Sequence, residues 1–145
     1  HSINLFAIRR YFLLKFFIIM QIPVKIYCIY NAKGSVSGEL AYVFKKYVLG
    51  FKCSMCEITH NSFTMKRDWE NKVSQSNINI ETVHLDERPK DLEEFSKNKV
   101  PCVVGEYQEG YKLIFTNEDL KNFEGNVDLF FDMLKERIEL HHHSE

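Results

Sequence analysis

The sequence predicts an α/β fold, a central mixed sheet of about four strands flanked by helices. Two observations carry that expectation. Short runs rich in β-branched and aromatic residues alternate with stretches of helical period, in the order β-α-α-β-α-β-β-α. The 145 residues also match the usual size of one domain, and no repeat, low-complexity tract or linker divides them.

Residues 24–30, VKIYCIY, form the first strand, bounded by Pro23 and Asn31 and apolar enough to lie inside the sheet. Cys28 shares one face of it with Val24, Ile26 and Tyr30, the place of a core residue. A turn at residues 31–35 leads to a helix capped by Ser35 or Ser37, with Val36, Leu40, Val43, Phe44, Tyr47 and Val48 on its apolar face. Gly50 ends that helix. The turn has one glycine and neither nucleotide-binding glycine pattern, so it is read as chain geometry rather than an anion site.

A second helix is expected where Phe63, Met65, Trp69 and Val73 oppose Lys66, Arg67, Asp68 and Glu70, with Asn61, Ser62 or Thr64 as its cap. Residues 78–85, INIETVHL, alternate as a strand that Asp86 and Pro89 terminate. A short polar helix at residues 91–97 follows, its acidic start turned to solvent. Residues 100–104 give a compact strand, Glu109-Gly110 a turn, and residues 111–115 an antiparallel partner at one sheet edge. Thr116 and Asp119 cap a helical turn, and Val127, Phe130, Phe131, Leu134 and Ile138 line one side of the last helix.

Composition narrows the function classes. A formal net charge of −1 and the lack of a basic run interleaved with aromatics argue against nucleic acid as a partner. Four cysteines without a secretory signal read as thiols or ligands in a reducing compartment, which places the chain in the cytoplasm. Residues 1–21 are read as an N-terminal extension, residues 22–139 as the domain and residues 140–145 as a tail whose histidines are not counted as ligands. Lys15 interrupts the apolar part of the extension, and the run left at residues 16–20 is far short of the roughly 20 residues a spanning helix needs. A membrane is therefore not an expected partner.

The chemistry-bearing stretch is residues 51–69, FKCSMCEITHNSFTMKRDW. A helix from about Cys53 puts Cys53, Cys56 and His60 on one face, because they step by three and then four residues. The two sulfurs are then expected close enough to bridge or to share a metal. Three readings are open. In thiol-disulfide exchange or thiol redox sensing, Cys53 at the helix start beside Lys52 is the attacking and more reactive thiolate, Cys56 resolves the mixed disulfide, and His60 moves the proton. The partners are then protein thiols or a low-molecular-weight thiol, with no cofactor.

In the metal reading, Cys53, Cys56 and His60 ligate zinc, and Cys102, His84, water or another chain supplies the fourth position. In the third reading the two thiols fill a helix seam as small apolar groups, and the chain is a non-catalytic scaffold or interaction domain. His84, with Asp86 on the same side of its strand, and Trp69, a helix anchor able to wall a pocket, are secondary candidates.

The element order, with Val100-Pro101 heading the third core strand, resembles the thioredoxin-like fold of glutaredoxins over about residues 22–139. That resemblance implies a cis peptide bond at Val100-Pro101 and dithiol chemistry at the C-x-x-C pair. In the family the pair follows a core strand directly, whereas here residues 31–35 hold that place and Cys53 and Cys56 come one helix later. The chain also resembles an uncharacterised family of short bacterial proteins through Tyr30-Asn31-Ala32, Cys53-x-x-Cys56-x-x-Thr59-His60 and Met65-Lys66-x-x-Trp69. The second resemblance implies relatives but no activity.

Overall fold

The computed structural model describes residues 4–33, 53–61 and 65–143. Among them β1 (Lys25–Ile29), β2 (Ile80–Val83), β3 (Cys102–Tyr107) and β4 (Gly110–Phe115) form one four-stranded sheet in the order β2-β1-β3-β4. β1 pairs parallel with β2 and antiparallel with β3, and β3 pairs antiparallel with β4. The sheet is therefore mixed, with β1 interior and the β3–β4 hairpin forming one edge, as the sequence suggests. Gly110 faces Tyr107 across the hairpin turn with φ 129°, a backbone angle that side chains other than glycine rarely adopt.

The helices are α1 (Leu5–Gln21), α2 (Ser54–Thr59), α3 (Arg67–Gln75), α4 (Lys90–Ser96), α5 (Asn117–Asn122) and α6 (Val127–His143). Alternation along the strands sends their side chains to two cores, one on each face of the sheet. Ile26, Cys28, Tyr30 and Val103 join Met55, Ile58, Trp69, Leu120, Phe130 and Leu134 on the face covered by α2, α3, α5 and α6. Tyr27, Ile29, Cys102 and Val104 join Val83 and Leu92 on the face covered by α4. The fold is thus α/β with helices on both sheet faces.

The cap read at Thr116 is present as a reciprocal pair. Thr116 Oγ1 accepts the Asp119 N–H at 3.2 Å, and the Asp119 carboxylate accepts the Thr116 N–H at 2.9 Å. The last helix buries Val127, Phe130 and Leu134, while Arg137 donates to the Ile114 carbonyl at 2.9 Å and so ties α6 to β4. The Val100-Pro101 peptide bond is cis, as expected.

Several expectations need correction. The helix of Trp69 begins at Arg67, not near residues 61–64, because Met65 is held in an isolated antiparallel bridge with His60 and Lys66 donates its N–H to the Thr59 carbonyl at 2.7 Å. A residue engaged in such a bridge is extended and cannot start a helix. The strand expected to run through Leu85 stops at Val83, and Leu85–Glu87 winds into a 3-10 turn. The helix expected after Ser35, the anion-turn residues beyond Lys33, and Phe63 lie outside the described residues.

Along α1 none of the side chains of residues 5–16 belongs to either cluster, and Leu5, Phe6, Tyr11 and Phe12 are exposed. Among the described residues no helix is long and apolar enough to cross a membrane.

Candidate functional site

The C-x-x-C pair forms at the start of α2. Cys53 is the N-cap, with φ −119° and ψ 109°, and its sulfur accepts the Cys56 N–H at 3.3 Å. A side chain at this position normally satisfies one of the amides left unpaired at a helix start, and here sulfur takes that role. The one-turn spacing brings the two Cα atoms to 5.2 Å, and Cys53 and Cys56 are joined by a disulfide. Ser54 anchors the turn by donating to the Asn117 side-chain oxygen at 2.7 Å, which fixes the start of α2 against α5.

Both cysteines sit in the larger core, but unequally. Cys53 has no exposed surface, whereas Cys56 keeps 6% of its own. The order of accessibility is the reverse of the one expected from the sequence, where Cys53 is the reactive thiol.

At the other end of α2, Thr59 and His60 meet Tyr30 from the end of β1. Thr59 is fully buried, and its hydroxyl lies 2.9 Å from the Tyr30 hydroxyl and 2.7 Å from His60 Nδ1. It also lies 3.4 Å from the carbonyls of Met55 and Cys56. His60 is the C-cap, with extended backbone, and its N–H donates to the Cys56 carbonyl at 2.9 Å. The Tyr30 ring contacts both imidazoles, with ring centres 5.8 Å from His60 and 4.9 Å from His84. His84 Nδ1 is bonded to the Glu87 carboxylate.

The fourth-ligand candidate Cys102 lies on the opposite sheet face from Cys53 and Cys56, because it pairs with Ile29 while Cys28 pairs with Val103. In the disulfide neither Cys53 nor Cys56 is a thiolate donor, and among the described residues no three His, Cys, Asp or Glu side chains converge to hold a metal ion. Trp69 is buried as expected, but its ring packs on Phe130 and Phe131 at 5.2 and 5.1 Å. Thr59 and Tyr30 are site residues to which the sequence reading gives no role. Their signal was adjacency to His60 for one and the end of a core strand for the other.

Cys28 and Cys102 are plain core thiols. Burial pushes both up from the ordinary thiol range, Cys102 to about 12 although the Arg88 and Lys99 charges pull the other way. Both are therefore neutral at pH 8. In the folded protein iodoacetamide is expected to leave both unmodified, and alkylation at either position before unfolding, read by peptide mass spectrometry, would contradict this placement.

Comparison with protein-family models, curated proteins and solved structures gives no match to the chain.

Proposed function

We propose that the chain is a thioredoxin-like domain that carries out thiol-disulfide exchange or senses thiol redox state through Cys53 and Cys56. The carrying observation is the bonded pair itself, both cysteines buried, Cys53 completely and with its sulfur accepting the Cys56 N–H, Cys56 with 6% of its surface exposed. The strand order β2-β1-β3-β4, with one parallel and two antiparallel pairings and helices on both faces, supports the thioredoxin-like assignment.

Chemically, an incoming thiolate attacks the Cys56 sulfur, forming a mixed disulfide as the Cys53–Cys56 bond breaks. Cys53 leaves as a thiolate, and the Cys56 N–H that already points at its sulfur stabilises that charge. A second thiolate of the reductant then attacks its own sulfur in the mixed disulfide, releasing Cys56 and oxidising the reductant. Each released thiolate takes up a proton, and His60 at the end of the same helix is the acid-base group assigned to that transfer. The substrate class is a protein dithiol or a low-molecular-weight thiol. In a reducing compartment such a disulfide is transient and turns over.

Intact-mass measurement tests this. Dithiothreitol added to the folded protein should yield a species two hydrogens heavier that then takes label at Cys56 and not at the core thiols Cys28 and Cys102, and oxidised glutathione should reverse it. A disulfide that stays intact until the protein unfolds would overturn the reading.

A further inference from the structure

The hydroxyl of Thr59 has one proton and four polar neighbours. Two are close, Tyr30 Oη at 2.9 Å and His60 Nδ1 at 2.7 Å, and two are the carbonyls of Met55 and Cys56 at 3.4 Å. A phenol is a better donor than an aliphatic alcohol, and a neutral imidazole nitrogen is the strongest acceptor of the set. Of the two directions the geometry allows, these strengths favour Tyr30 donating to Thr59 and Thr59 donating to His60 Nδ1. The neutral ring then carries its proton on Nε2.

We propose that Thr59 and Tyr30 are positioning residues that fix the tautomer of His60 and let it alternate between proton acceptor and proton donor. When Nδ1 gains a proton, the Thr59 hydroxyl must turn away from it, and the Met55 and Cys56 carbonyls are placed to receive it. Nδ1–H then donates to the oxygen that had donated to it. Thr59 and Tyr30 are buried, so the hydroxyl pair that meets His60 lies away from bulk water. The Cys56 carbonyl also accepts the His60 N–H, so the residue that carries the mixed disulfide and the residue that moves its proton share one backbone hydrogen bond. Nearby titratable groups among the described residues are His84, bonded to Glu87 and packed on the Tyr30 ring, and Lys66, whose ammonium donates to the Gly125 carbonyl.

This inference rests on the exchange reading for its purpose but not for its test. Long-range nitrogen–proton NMR on the oxidised protein reports which ring nitrogen of His60 carries the proton. Wild type should show Nε2–H, Thr59→Val a mixture of the two tautomers, and Thr59→Ser the wild-type pattern. Reduction by dithiothreitol at pH 7 should slow about tenfold in Thr59→Val and stay within about twofold of wild type in Thr59→Ser. Tyr30→Phe, which keeps the ring and removes the hydroxyl that meets Thr59, should shift the tautomer ratio in the same direction and covers the case in which Thr59→Val does not fold. An unchanged Nε2–H tautomer in Thr59→Val or Tyr30→Phe would overturn the proposal, as would an unchanged reduction rate beside a reactive wild type. A wild-type disulfide that resists dithiothreitol would remove the exchange reading, while the spectra would still decide the tautomer assignment.

Discussion

Cys56→Ser is expected to abolish thiol exchange, and Cys53→Ser to trap it halfway. Attack follows access, and of the two buried cysteines only Cys56 keeps any exposed surface. With Cys53 replaced, Cys56 still forms a mixed disulfide with glutathione or a substrate thiol, but no buried partner remains to displace it. With Cys56 replaced, the remaining thiol is enclosed and should react no faster than background. Intact-mass spectra after incubation with oxidised glutathione would show a glutathione adduct on Cys53→Ser and none on Cys56→Ser. The opposite pattern would restore Cys53 as the attacking residue. Either variant also loses the cross-link, which for so short a loop is worth about 2 kcal/mol by the chain-entropy relation, so the comparison is made between variants that share that loss.

The roles of the two cysteines show where a sequence informs and where it stops. Their proximity is legible because three residues make one helical turn, and the bond at a Cα separation of 5.2 Å follows from that spacing. Their accessibility is not legible, because it depends on α5 closing over the start of α2 through Ser54 and Asn117, residues 63 apart in sequence. The first strand reads correctly from VKIYCIY because β-branched and aromatic residues bounded by turn residues have few other uses. Its neighbour relations are harder: that Cys102 faces away from the disulfide depends on the β1–β3 register, and a slip of one residue would reverse it.

The start of α3 illustrates the same limit at close range. Apolar spacing from Phe63 to Val73 supports a helix, yet Met65 is held in a bridge with His60 and the helix begins at Arg67. Local propensity is a weak preference that one tertiary pairing can outweigh. Around His84 a strand would set Asp86 on the same side, whereas the turn at Leu85–Glu87 brings the Glu87 carboxylate back to the ring.

Phe130→Ala should be the most destabilising single change in the described core, at about 3–5 kcal/mol. Its ring is fully buried, with ring centres at 5.2 Å from Trp69, 5.3 Å from Phe131, 5.5 Å from Phe115 and 5.9 Å from Phe123. One side chain thereby joins α6 to α3, to β4 and to the end of α5, and truncation removes apolar burial and the ring contacts while leaving a cavity. Phe131→Ala is the control: it touches Trp69 and Phe130 but is only partly buried, so it should cost no more than about half as much. Urea unfolding measures both, and equal losses would mean that the aromatic cluster is not centred on Phe130. The change should also reach the disulfide, because Phe130 belongs to the same apolar cluster as Cys53 and Cys56. A loosened core admits reductant to Cys53 as well as Cys56, so in Phe130→Ala the disulfide should be reduced faster than in wild type although the fold is weaker.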